Sequence, residues 1–237
     1  MTKTIVTVAA CATLLWVGAA LARPGCISKR ADAAGKYLKC VQHWQSKLFA
    51  GGVAVGKESK CREKYAAAWD KMVTLNTAPC SGSRWVDNGT TVTDNLTGLI
   101  WEKKTDDGGV NDWDNTYTWT NGDADPTDED GTAFTVFLSS LNSGGGFAGA
   151  SGWRLPTVAE LLTIPLPEPY PCTTNPCIDP VFGPTKSGNG YFTATTNPGI
   201  PDFVWGVSFG DCGLGGCVGT NTKALSGAYV RAVRGGL

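Results

Sequence analysis

Eight cysteines beyond residue 22 limit what this chain can fold into more than any other feature: Cys26, Cys40, Cys61, Cys80, Cys172, Cys177, Cys212 and Cys217. The ninth, Cys11, lies in an uncharged apolar run from Thr4 to Leu21, which follows Lys3 and ends at Ala20-Leu21-Ala22. One positive charge, an apolar run and a small-x-small step form the pattern of a secretory signal, so residues 1–22 are predicted to be removed. An even cysteine set in an exported chain implies disulfides made in an oxidising compartment, whether periplasm, cell surface or medium. The pattern is not that of a zinc site, because there is no Cys-x-x-Cys and His43 is the sole histidine.

Charge then divides the chain. Residues 23–80 carry 11 basic and 4 acidic side chains, whereas residues 81–237 carry 8 and 17. The asymmetry sets a boundary near Cys80-Ser81-Gly82-Ser83 and argues against nucleic acid as a partner of the acidic unit. In the basic unit, Ile27, Ala31, Ala34, Leu38, Val41 and Leu48 follow a three-four spacing. After the glycine-rich break from Gly51 to Gly56, Cys61, Tyr65, Ala68, Met72 and Leu75 repeat it, which predicts a helical hairpin over 23–80. Cys26 and Cys40 stand about 21 Å apart along one helix and cannot bond to each other. Facing residues of antiparallel helices keep a nearly constant number sum, which selects the nested pairs Cys26–Cys80 and Cys40–Cys61. The lysines of this hairpin suit contact with an anionic envelope polymer or lipid, or a plain solvated face.

The acidic unit, 84–237, opens with Trp85-Val86-Asp87. Thr91-Val92-Thr93, a turn at Asp94 to Gly98, and Leu99-Ile100-Trp101 then read as a β-hairpin. Residues 105–153 contain no lysine or arginine but nine carboxylates. Among these, Asp123, Asp125, Asp128 and Asp130 supply the oxygen density that a calcium ion needs, although Asp128 replaces the EF-hand glycine and Pro126 breaks the alternation of ligands. Calcium is the sole cofactor this pattern suggests; a solvated acidic loop is the alternative. Thr132 to Asn142 reads as a helix. In Gly152 to Leu162, Thr157 and Glu160 form a Thr-x-x-Glu capping box ahead of a second short helix that Pro165 ends. Cys172–Cys177 and Cys212–Cys217 share a spacing that suits two local staples. Strands are expected at Tyr191–Thr195, Val204–Phe209, Cys217–Thr220 and Tyr229–Arg234, the last beside the first hairpin.

Six stretches occur in a recognisable order: Thr97-Gly98-Leu99-Ile100-Trp101, Asp106 through Trp119, Trp153-Arg154-Leu155-Pro156-Thr157 with Glu160-Leu161, Ile178-Asp179-Pro180, Trp205-Gly206-Val207-Ser208-Phe209, and Val230-Arg231-Ala232-Val233-Arg234-Gly235. Over about residues 84–236 the chain resembles the Lcl C-terminal domain family, named after the C-terminal domain of a bacterial collagen-like surface adhesin. It departs from that pattern at Ser151-Gly152, where an aspartate is common, and at Tyr191 to Thr195, where a tryptophan-serine-rich strand is usual. The resemblance implies an α+β domain of the C-type-lectin-like or formylglycine-generating-enzyme-like class. Such a domain has a mixed, mostly antiparallel sheet with two short helices, here preceded by the stapled hairpin. It further implies an adhesin-like binding module for a surface glycan or extracellular protein, with loops after the later strands meeting the ligand. That places candidate ligand contacts at Thr195, Thr196, Asn197, Trp205, Asp211, Asn221 and Lys223. A non-catalytic envelope-associated part is the second expectation. A formylglycine-generating-type oxidase is the third, and it would need free reactive cysteines, whereas all eight have structural partners by spacing.

Overall fold

The computed structural model describes residues 84–95, 97–122, 125, 127–165, 175–188, 190–210, 217–224 and 227–236, with single positions at 36, 39, 40, 43, 60, 61, 63, 64 and 67. The single positions are helical, and Cys40 is disulfide-bonded to Cys61 with Cα atoms 5.8 Å apart, as the nested pairing requires. Cys26, Cys80, Cys172 and Cys212 lie outside the described residues; Cys177 is disulfide-bonded.

The strands form two antiparallel sheets instead of one mixed sheet. The first takes β1 (Trp85–Asp87), β2 (Thr91–Asp94), β3 (Leu99–Glu102) and β7 (Val233–Gly235) in the order β1-β2-β3-β7. The second takes β4 (Tyr191–Thr196), β5 (Phe203–Ser208) and β6 (Cys217–Thr222) in the order β4-β5-β6. The expected first hairpin is present, with Val92 opposite Trp101. β5 begins at Phe203 and β6 runs on to Thr222, each within two residues of expectation, whereas the strand expected over Tyr229–Arg234 is only Val233–Gly235, because Ala228 and Tyr229 make single bridges to Tyr117 and Tyr191 instead of a ladder. The C-terminal strand lies beside the first hairpin, Trp101 facing Val233, and the chain around it makes bridges at Tyr117–Ala228, Arg154–Val233 and Tyr191–Tyr229. The Tyr191–Tyr229 bridge links β4 to the segment that leads into β7, and the other two tie that segment to Tyr117 and Arg154, so the apolar terminus is enclosed.

Alternation along the strands sorts side chains onto two cores. Trp101, Leu99, Tyr191, Trp205 and Val207 fill one with Leu161, Phe182 and Phe209. Phe192 and Val204, from the opposite face of the second sheet, fill the other with Trp119, Phe137, Trp153 and Leu155. The second sheet is therefore a filling between two apolar layers, and each fully buried aromatic or leucine adds roughly 1.5–3 kcal/mol. Cys61 is 4% exposed and belongs to the first core, so the N-terminal disulfide packs against the acidic unit.

The predicted helix at Thr132–Asn142 begins as a π-helical stretch, Ala133–Leu138, and continues as α1 (Ser139–Asn142). Its last residue fixes the stretch that follows: the Asn142 amide accepts from Trp153 N–H at 2.8 Å and donates to Trp153 O at 2.8 Å. The Trp153 indole donates to the Ala150 and Phe147 carbonyls, so this buried ring is satisfied as well as packed. The second helix, α2 (Val158–Leu161), carries the expected box: Thr157 Oγ1 accepts from Glu160 N–H, and Glu160 accepts from Thr157 N–H at 2.8 Å. Arg154 reaches the same carboxylate at 2.6 Å. Burial raises the Glu160 pKa, but hydrogen bonds from Arg154 and Thr157 outweigh it and leave the group below its usual value. Thr157→Ala is expected to lower stability by about 1 kcal/mol, read as a denaturation midpoint shift; no shift would mean that the cap contributes nothing.

Candidate functional site

The loops at the ends of β4, β5 and β6 hold the residues expected to meet a ligand, and the structure divides them. Thr195 Oγ1 accepts from Val158 N–H at 3.0 Å, tying β4 to the first turn of α2. Thr196 pairs with Val204. Trp205 is 9% exposed and belongs to the first core. Asn221 aims its amide at Gly206 and Gly190; a Cβ on Gly206 would overlap it. Thr195 and Trp205 are thus engaged within the fold and Thr196 lies in the β4–β5 ladder, while the Asn221 amide nitrogen is buried without a hydrogen-bond partner among the described residues. Asp211 lies outside the described residues.

Asn197 and Lys223 lie at the two ends of one chain of contacts, the first closing the turn into β5 and the second bonded to Asp202 at the end of that turn. Asn197 N–H donates to Phe203 O at 2.8 Å and its side chain accepts from Gly199 N–H at 2.9 Å, which closes the turn into β5. Asp202, exposed at the end of that turn, accepts through its carbonyl from Lys223 N–H at 2.8 Å. The Lys223 carbonyl in turn accepts from Thr120 N–H, so the loop that begins at Thr120 is tied to the end of β6. Lys223 is only 2% exposed, and its ammonium lies 5.4 Å from the Trp119 ring centroid. Burial pulls its pKa down, against the attraction of Glu129, Asp202 and Asp125. One buried cation thus faces carboxylates from two loops distant in sequence.

The acidic loop is organised by its own turns. Asp125 Oδ1 accepts from both the hydroxyl and the N–H of Thr127, which hold its pKa below the usual value. Asp130 accepts from Asn121 N–H at 2.8 Å, and Asp128 is exposed. Among the described residues no group of three or more His, Cys, Asp or Glu is placed to hold a metal ion, and Asp123 lies outside them.

An earlier loop, Thr105 to Asn115, has a carboxylate at its centre. Asp112 Oδ2 accepts from Gly108 N–H and Asp107 N–H, and its Oδ1 accepts from Asp114 N–H. Hydrogen bonds from the Gly108 and Asp114 backbones hold its pKa down at about 2. A carboxylate depressed in the folded state contributes stability that is present above its unfolded pKa and is lost as pH falls toward the folded value. The protein should therefore weaken between about pH 4 and 2, and Asp112→Asn should flatten that part of the acid-unfolding curve. An unchanged acid limb would contradict this role. Beside it Lys186 stacks on Trp113, with its ammonium 4.0 Å from the ring centroid, and the Trp113 indole donates to Asp106.

Between the two cores lies a charged centre that pattern reading missed. Glu102, Lys104 and Arg231 are 0%, 3% and 0% exposed. Lys104 Nζ sits 2.8 Å from Glu102 Oε1, while Glu102 Oε2 accepts from Ala232 N–H. Arg231 donates to the carbonyls of Glu102 and Phe182 and to the Thr185 hydroxyl. Gly183 makes the approach of this chain segment feasible: its φ is +76°, and a Cβ there would overlap the Lys104 carbonyl. Burial pushes the Tyr191 hydroxyl up to about 12, so the phenol stays protonated and donor-capable. The sequence signal for this centre was an arginine inside the apolar run Tyr229 to Val233, since buried charge occurs only when paired.

The arrangement is one of polar groups fixed to backbone and to each other, with an exposed, charged loop cluster at one end of the second sheet. No curated protein and no solved structure matches the chain. A model of the Lcl C-terminal domain family matches residues 90–234, more than half of the chain and the whole span of both sheets beyond β1 apart from the last residue of β7. With the two-sheet α+β body and six motif stretches packed as its core, loops and caps, the chain belongs to the Lcl C-terminal domain family.

Proposed function

We propose that this protein is an exported, adhesin-like binding module whose lectin-like domain meets a glycan or protein ligand at the cell surface. The observation that carries the reading is the convergence at Lys223: the Asn197–Asp202 turn, the end of β6 and the acidic loop from Thr120 are tied together there by backbone hydrogen bonds and charge. Binding loops held by a stiff scaffold are the ordinary way such domains present chemistry. The leader expected at residues 1–22 and the Cys40–Cys61 disulfide agree with work outside the cytoplasm. The disulfides at Cys40–Cys61 and at Cys177 leave those three sulfurs without thiol chemistry, which favours binding over an oxidase. Among the described residues no helix is long and apolar enough to cross a membrane.

Capture by the immobilised full chain from a panel of glycans and extracellular proteins, in calcium and then in chelator, tests this reading. Saturable capture is expected. Capture that needs calcium would assign Asp123, Asp125, Asp128 and Asp130 to a metal; no capture in either condition would leave an envelope-associated structural part as the better account.

A further inference from the structure

The second sheet has one covered edge and one open edge. On the β4 side, Phe192 N–H donates to Tyr229 O and Ala194 N–H donates to Pro156 O, so that edge is paired. On the far side is β6, Cys217-Val218-Gly219-Thr220-Asn221-Thr222, six residues with no charge, proline or bulge. Natural edge strands are ordinarily blunted by one of these devices, because unpaired N–H and C=O groups recruit another strand.

The register tells which groups of β6 point outward. Phe203 O accepts from Asn197 N–H and Trp205 O accepts from the Thr193 hydroxyl, so Phe203, Trp205 and Val207 direct their backbone toward β4. Val204, Gly206 and Ser208 then bond to their partners Asn221, Gly219 and Cys217. The N–H and C=O of Val218 and Thr220 are left facing away from β5, and among the described residues no hydrogen bond reaches them. Gly219 and Thr220 are exposed, and nothing lies within 4 Å of where a Gly219 Cβ would be. Among the described residues the edge at Val218 to Thr220 is open sterically as well as in hydrogen bonding.

Its surroundings specify charge. The Thr222 end runs into Lys223, which faces Asp125, Glu129 and Asp202, three carboxylates against one buried cation. We propose that β6 receives an extended polypeptide segment of a partner protein, added to the sheet as an antiparallel strand, with a basic side chain near its N-terminal end, at the Thr222–Lys223 end of β6. This rests on the binding-module reading and names a protein ligand for it. Main-chain pairing along Val218 to Thr220 supplies the affinity, and the carboxylates around Lys223 select a cationic sequence.

The test uses the full chain and a labelled, acetylated peptide, Lys-Lys-Thr-Val-Thr-Val-Thr amide, beside the same peptide with Glu-Glu in place of Lys-Lys, read by fluorescence anisotropy. The basic peptide is expected to bind saturably and about tenfold more tightly than the acidic one at low salt. Thr220→Pro removes an outward N–H without touching a bond to β5, so the melting temperature should hold while peptide affinity falls about fivefold to tenfold. Asp202→Asn should narrow the preference for the basic peptide. Absence of peptide binding, or equal binding by T220P, overturns the assignment. So does a concentration-dependent dimer of the free protein that T220P dissociates, which would give the edge to a second copy. If a ligand from the glycan and protein panel is bound undiminished by T220P, the edge assignment falls while the binding-module reading stands.

Discussion

Glu102→Gln is expected to lower stability by about 3–5 kcal/mol, seen as an earlier urea midpoint with an unchanged slope. The substitution keeps an oxygen for Ala232 N–H and nearly keeps the volume, so it isolates the charge. What it leaves behind is the Lys104 ammonium, 3% exposed, with its nearest anion gone and Arg231 also buried in the centre. Burial lowers the Lys104 pKa, opposed first by attraction to Glu102, so removal of that carboxylate pushes it lower still. The penalty should shrink as pH rises, because an uncharged amine needs no counter-ion. A double change, E102Q with Lys104→Met, removes both charges and should recover most of the loss, since apolar replacement of a buried pair is often neutral. A single-variant loss under about 1 kcal/mol would show that the centre is hydrated and not the dry junction described here.

Replacing Cys40 and Cys61 with serine together is expected to cost about 3 kcal/mol. The bond closes a sequence separation of 21 residues, and restricting the unfolded chain by a loop of that length accounts for the magnitude. At this chain size the loss corresponds to a melting temperature lower by roughly 6–12 °C. The effect should reach the acidic unit, because Cys61 is part of the core that contains Val92, Trp101 and Leu161. Near-ultraviolet circular dichroism of the buried tryptophans is therefore the proper readout. If those signals melt at the wild-type temperature while helical signal is lost early, the two units are independent and the packing of the disulfide against the core is of no consequence.

Local chemistry was legible in the sequence, and so was the place of the C-terminal strand beside the first hairpin; the division of the strands into two sheets was not. The capping box at Thr157 and Glu160, the hairpin at Thr91 to Trp101 and the Cys40–Cys61 pair depend on spacing within a short stretch or a simple helical geometry, and each is present. The division into two sheets depends instead on which strands pair across the domain, a choice no periodicity encodes. Glu102, Lys104 and Arg231 were hidden because charged residues are ordinarily read as surface, and only their joint burial makes each acceptable. Asp112 was one acid among nine until its backbone partners marked it as the centre of a loop. Of the expected contact residues, Lys223 sits against the acidic loop and Asp202, and Asn197 closes the turn that ends at Asp202, whereas Thr195 and Trp205 are engaged in packing, as β-branched and aromatic residues in strands ordinarily are.

The central claim is that ligand is met at the Lys223 end of the second sheet. Its most direct measurement is capture from the glycan and protein panel by the wild-type chain beside a Glu129→Gln, Asp202→Asn variant. Both side chains are exposed, so the fold should be kept; Lys223 loses two of its three neighbouring carboxylates, so some loss of melting temperature is expected and affinity is compared well below both transitions. Saturable capture by the wild type is expected, with affinity about tenfold weaker in the variant and the difference fading in high salt. Equal affinity of the two proteins for every captured ligand would contradict the claim.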